Sequence, residues 1–214
     1  MYGPTIKIST DKLTLTLRAF NKDDISCLVV GFSSLAVQMY TNGLFAQVYE
    51  NEVEWYDKTR KSSDVVSWAI VPEGVEKPIG VTALHGIQSM DGGCVSGIII
   101  WEKDWWGKGV ASSAHLARTV FAADFLNRSI IRSSVRTQNP GSFKALQKVG
   151  YTIWGTEPRS VWKNGQWLDT HHLIWFHPDR IGLLFPEGIP EIYRDGVKNA
   201  EKALVYDRSA VNLI

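Results

Sequence analysis

Residues 104–111 read Asp-Trp-Trp-Gly-Lys-Gly-Val-Ala, "DWWGKGVA". Two indoles run into two glycines that flank Lys108, and an alanine-rich stretch follows. The neighbouring segments give this stretch its meaning. "CVSGIIIW", 94–101, is apolar and rich in β-branched residues, the signature of a buried strand. From 109 to about 126, Val110, Ala114, Ala117, Phe121 and Phe125 step by three and four, the stripe of an amphipathic helix. "SIIRSSVR", 129–136, is a strand again. Strand, glycine turn, helix and strand form a βαβ unit whose two strands run parallel, so the chain is of the α/β class.

The turn itself carries chemistry. The first four N–H groups of a helix lack intrahelical partners, and the macrodipole adds partial positive charge there. Such an end binds phosphate when no side chain blocks the backbone. Gly107 and Gly109 remove the Cβ atoms that would block it and allow left-handed torsions. Two better-known phosphate loops do not fit. GxxxxGK[ST] fails because Gly109 follows Lys108, and GxGxxG fails because Gly107-x-Gly109 leads to Ser112.

Outward from this unit the pattern stays legible. "KLTLTLR", 12–18, alternates as a half-buried strand. Asn21 heads "NKDD" as a helix cap, and that helix runs to about Phe32. "ENEVEWYDKTRK" is helical. "VVSWAIV", 65–71, and "IGVTALHGI", 79–87, form a hairpin across "PEGVEKP". In "NPGSFKALQKVG" Asn139 caps a short helix, Pro140 takes its first position and Gly150 ends it. "YTIWGT" and "RSVWK" are strands, and Asn164-Gly165 turns the latter into "QWLDTHHLIWF". Residues 177–214 are punctuated by proline and glycine, with one short helix over "VKNAEKALVYD". They read as a C-terminal extension of a domain at 1–176, packed on it or on a partner subunit.

Composition narrows the function. A formal charge of +1 over 214 residues gives no basic face for nucleic acid. No apolar run approaches the ~18 residues of a membrane span. The N-terminus lacks the basic and apolar regions of a signal peptide. The two cysteines, Cys27 and Cys94, lie in no metal-ligand spacing. A reducing, cytoplasmic setting is the default, and no metal is expected.

Taken in order, these motifs resemble the GCN5-related N-acetyltransferase (GNAT) superfamily, and within it the RimJ/RimL ribosomal-protein-acetyltransferase branch. The superfamily loop [Q/R]-x-x-G-x-[G/A] is met at Gly109 and Ala111, with Trp106 at its first place giving the W-G-K-G form of the branch. N-x-x-S-x-x-x-L-x-K-x-G-[F/Y] is met at Asn139, Ser142, Leu146, Lys148, Gly150 and Tyr151. Gly155, Thr156 and Arg159 match G-T-x-x-R. Asn164-Gly165, Trp167 and Asp169 match the ensuing hairpin. The resemblance covers roughly residues 10–176.

It implies a mixed central sheet flanked by helices, with acetyl-CoA as cosubstrate and a primary amine as acceptor. The acceptor is a protein N-terminal α-amine or a small molecule, and a homodimer is compatible with the branch. Backbone groups of Ile99, Ile100 and Trp101 would bond pantetheine. Amides of Trp106, Gly107, Lys108, Gly109, Val110 and Ala111 would hold the pyrophosphate. Asn139 would meet the pantetheine or acetyl region, and Ser142 would protonate the leaving thiolate. A serine in a first helical turn also bonds its own backbone in many helices.

Two family positions depart from pattern. Leu146 stands where many relatives carry a tyrosine acid, and Val161 where some carry a glutamate base. Glu102 is then the candidate base beside the loop, with Asp104, His85, His115, His171, His172 or a water chain also available. The acids of "YENEVEWYDK", 49–58, lie where relatives build the acceptor pocket and could attract a cationic amine, but the favoured reading is a solvated helix face. The competing function is a non-catalytic acyl-CoA-binding module. A nucleotide binder ranks behind both. Gly109→Val is expected to abolish CoA binding with the fold largely intact.

Overall fold

The computed structural model describes residues 1–41, 43–207 and 211–213, without the side chains of 205–207 and 213. The elements in chain order are β1 (Ile6–Ser9), β2 (Thr14–Arg18), α1 (Ile25–Ser33), α2 (Leu35–Gln38), α3 (Tyr49–Lys61), β3 (Val65–Pro72), β4 (Gly80–His85) and β5 (Gly93–Ile100). They continue with α4 (Val110–Val120), β6 (Ile130–Arg136), α5 (Pro140–Lys148), β7 (Thr152–Lys163), β8 (Gln166–Phe176), α6 (Ile181–Leu184), α7 (Glu191–Asp207) and β9 (Val211–Leu213).

The strands make one sheet in the order β7-β8-β6-β5-β4-β3-β2-β1-β9. Among its described neighbours β5 and β6 alone run parallel, as the βαβ pattern predicts. Alternation along β3 shows how the two faces are filled. Val66, Trp68 and Ile70 enter the larger core under α4 and α7. Ala69 and Val71 enter a smaller one that includes Phe20, Leu28 and Trp101 under α1. Helices therefore cover both faces.

The start of α1 is held by a capping box. Asn21 Oδ1 accepts from the Asp24 amide, and Asp24 Oδ2 accepts from the Asn21 amide. Arg18 grips the same carboxylate at 2.6 and 2.9 Å, which aligns the end of β2 with the helix. At the far hairpin Asn164 (φ 50°) and Gly165 (φ 73°) supply the two left-handed torsions of a type I′ turn.

Several expectations are revised. β1 and β9, too short to carry a periodic signal, extend the sheet beyond β2. "YTIWGT" and "RSVWK" are one strand, β7, interrupted by irregularities on either side of Glu157 and by Arg159 at φ 49°. The helical stripe predicted through Phe125 ends sooner. Residues 121–125 form a π turn closed by the Leu126 amide on the Phe121 carbonyl, and the extra residue swings Phe125 out to 55% exposure. α7 begins at Glu191 rather than at Val197. It lies flush on the corner between α5 and β7. A Cβ on Gly150 would stand 2.5 Å from the Ala200 nitrogen, and one on Gly196 would stand 1.8 Å from Thr152 Oγ1. Val197, Ala200, Ala203 and Leu204 of α7 are buried.

Candidate active site

β5 and β6 pair over only three positions, Gly93 to Val95 against Ile130 to Arg132. Beyond them the strands part, and the Ser133 hydroxyl donates to the Ser96 carbonyl at 3.1 Å in the fork. A cleft of about 1030 Å³ opens from this gap. It runs past the start of α4 on one side and the start of α5 on the other, and reaches across β4 to α3.

The backbone in the gap follows from strand alternation. The Trp101 amide donates to the Ile79 carbonyl at 3.0 Å, so Trp101 and, two residues earlier, Ile99 turn their polar groups toward β4. Ile100 and Ile98 turn theirs toward the gap. The indole of Trp106 donates to the Ile100 carbonyl at 2.9 Å. Of the three strand residues expected to offer backbone groups, Ile100 turns them to the gap while Ile99 and Trp101 turn theirs to β4, and Ile98, which was not expected, turns its own to the gap. Ile99 contributes its side chain to the cleft, while Trp101 is buried over Gly31 and Phe32 outside it. Strand register relative to β4 was the missing information.

The glycine turn has the geometry expected of a phosphate cradle. Gly107 (φ 75°) and Gly109 (φ 92°) are both left-handed. No side chain caps α4, so the amides of Val110, Ala111 and Ser112 have no helical acceptor, and all three residues line the cleft. Space above Gly107 is open within 4 Å. Trp106 and both glycines line the cleft. Lys108 does not: its ammonium lies over the Trp105 ring, 5.3 Å from the centroid.

On the opposite wall Asn139 caps α5, its Oδ1 accepting from the Ser142 amide at 3.1 Å. Ser142 is half-buried, lines the cleft, and its hydroxyl makes no bond among the described residues. The backbone-bonded alternative for Ser142 is therefore not what the structure has. Leu146, at the tyrosine position, is buried in the core.

Glu102 and Asp104 are exposed and lie outside the cleft. Among the described residues no Asp or Glu lines it. Of the acids in 49–58 one is buried: Glu52, 5% exposed, whose Oε2 has no hydrogen-bond partner among the described residues. Burial pushes its carboxyl pKa up. It borders a side cavity of about 270 Å³ that shares Phe32, Val37, Thr41 and Ile99 with the cleft. His171 bonds Thr156 Oγ1 at 2.9 Å and His172 faces Glu157 at 3.3 Å, on opposite sides of β8 and both outside the cleft.

Two histidines do line it. His85 stands at the end of β4, in register with Val95. Partial desolvation, then the charge of Arg118, lowers its pKa, which keeps the ring neutral near pH 7. His115 lies beneath, on α4, beside the buried Arg118.

A gap between two parallel strands, closed at one end by an uncapped helix start behind two glycines, is the architecture inferred from the sequence motifs. The family model for the acetyltransferase (GNAT) domain matches residues 14–152. The chain belongs to the GNAT family. None of the curated proteins matches it. Solved structures share its fold at low identity. Spermidine N-acetyltransferase from Vibrio cholerae, in complex with CoA and spermine, aligns with a TM-score of 0.70 at 20% identity over 76% of this chain and 95% of that one. A GNAT-family acetyltransferase from Bacillus anthracis gives 0.65 at 18% identity over 79% and 98%. RimL, the ribosomal L7/L12 α-N-protein acetyltransferase, in complex with CoA, gives 0.67 at 16% identity over 79% and 97%. The GNAT sheet, with its mostly antiparallel strands and flanking helices, is thus common to proteins acting on different amines.

Proposed function

We propose that this GNAT protein is an acetyl-CoA-dependent N-acetyltransferase that moves the acetyl group to a primary amine by direct attack. The observation that carries this reading is the row of free amides at Val110, Ala111 and Ser112, opening onto the gap beside Ile98 and Ile100. The amides suit a pyrophosphate, and the strand backbone suits the amides of a pantetheine arm. The named amines of two fold neighbours, spermidine and the α-amine of a ribosomal protein, are both within this reaction class.

In this reading the thioester lies against Gly97. A neutral His85, on the same face two residues beyond Ala83, takes the proton of the attacking ammonium group. The amine nitrogen bonds to the acetyl carbon, the carbon–sulfur bond breaks, Ser142 donates its proton to the departing thiolate, and the second proton released by the nitrogen as the amide forms restores the serine hydroxyl. Ser142 retains its expected role, and His85 replaces Glu102 as the base.

Thiol release from acetyl-CoA should appear with at least one member of a panel of polyamines, amino-acid amines and free N-terminal peptides. Tight CoA binding without turnover on any of them would favour the non-catalytic binding module instead.

A further inference from the structure

We propose that His115 is a cofactor-binding residue: Arg118 holds it in the tautomer with the proton on Nε2, and it donates that N–H to a carbonyl oxygen of the pantetheine arm. This rests on the acetyl-CoA reading above.

The tautomer follows from the partner. His115 Nδ1 lies 2.6 Å from Arg118 Nη2. A guanidinium has donors and no acceptor, so Nδ1 must accept and the neutral ring carries its proton on Nε2. A doubly protonated ring would set two donors against each other. Burial, and then the Arg118 charge, hold the ring neutral.

The resulting donor has nowhere to go within the protein. His115 is 1% exposed, it lines the cleft, and Nε2 has no partner among the described residues. A buried donor without an acceptor is costly, and a leucine would avoid the cost. Arg118 is as costly in its own right. It is 0% exposed and pairs with no carboxylate among the described residues. Its Nη1 donates instead to Thr82 Oγ1 at 2.6 Å and to the Gly97 carbonyl at 2.7 Å. Arg118 thereby ties α4 to β4 and β5 beneath the cleft floor and leaves His115 one orientation.

Position selects the ligand atom. His115 is five residues beyond the start of α4, about 8 Å down the axis from the phosphate-binding end. A pantetheine arm leaving that end and entering the gap brings its amide carbonyls to this depth, and each needs a donor. The same geometry removes His115 from the candidate bases, because the nitrogen facing the cleft already holds a proton.

The test titrates CoA and acetyl-CoA into the wild-type protein, His115→Leu and His115→Gln, with thermal unfolding as the control for folding. Glutamine keeps one acceptor for Arg118 and one donor for the cleft. Leucine should weaken both ligands about tenfold, while glutamine should stay within about threefold of wild type. In wild-type protein with ¹⁵N-labelled histidine, the His115 Nε2–H resonance should be present in the free state and shift on adding CoA. Wild-type affinity in His115→Leu, or an Nε2–H resonance that CoA does not move, overturns the proposal. If the leucine variant does not fold, the labelled wild-type protein decides alone. If wild-type protein binds neither CoA nor acetyl-CoA, the acetyltransferase reading falls and takes this inference with it.

Discussion

Ala83 on β4 stands directly opposite Gly97 on β5, and a Cβ placed on Gly97 would meet no atom within 4 Å. The pair leaves a bare patch of sheet on the cleft floor. Gly97 has no left-handed torsion to protect, so a side chain there fills space without straining the backbone. Gly97→Val should fold with a near wild-type Tm and lose turnover about 100-fold by displacing the thioester. Thiol-release kinetics beside a melting curve check it. Undiminished kcat/KM would mean that the reacting carbon lies elsewhere.

The base assignment gives a pH signature. His85 acts only when neutral, and its folded pKa lies below the ordinary 6.5. The acid limb of kcat/KM should therefore fall below pH 6.5, set apart from any limb due to the amine. His85→Gln should lower kcat about 100-fold and abolish that limb. Retention of the limb in the variant would assign it to another group.

His115 makes stability depend on pH in the same region. Its pKa is 6.5 when unfolded and well below that in the fold. The stabilisation from keeping it neutral is complete above pH 6.5 and is lost as pH falls toward the folded value, at most about 1.4 kcal/mol per pH unit. Urea titrations across this range should show the slope in wild type and a shallower one in His115→Gln.

Gly109 needs its absent side chain for two reasons, and the structure corrects the expectation that Gly109→Val leaves the fold largely untouched. At φ 92° any L-residue is strained, and a β-branched one most of all. Gly109→Ala should cost about 1–2 kcal/mol and Gly109→Val more, both alongside weakened CoA binding. Paired melting and CoA titration separate the two effects.

At the other wall Gly150 is left-handed and pressed against Ala200. Gly150→Ala combines torsional strain with overlap of backbone, about 3 kcal/mol together, or roughly a 10 °C fall in Tm. Calorimetry checks it.

Legibility differed between local and non-local features. The Asn139 cap, the Asn164-Gly165 turn and the parallel β5–β6 pair were all readable, because each depends on a few adjacent residues or on element order. The direction of the Ile98 backbone was missed because it is set by which way β5 turns relative to β4, a register that no single strand encodes. His115 and Arg118 sit three apart on α4 and would ordinarily be read as its wet face. α5 and α7 pack against that helix, so Ser113 through Val120 are all buried, and a helix roofed from outside shows no periodicity that announces it. Lys163 hid in the same way. At the end of β7 it is 4% exposed and donates to the carbonyls of Gln38, Thr41 and Gly43, pinning a loop more than a hundred residues earlier.

The seat of α7 on the α5–β7 corner also sets an order of events during synthesis. A chain leaving the ribosome presents α4, β5 and α5 long before residues 191–204 exist. Until then the corner at Gly150 is uncovered, and the wall that carries Asn139 and Ser142 has no backing. A chain that stops before residue 191 should therefore melt well below the 214-residue chain, because the Gly150 corner is left bare.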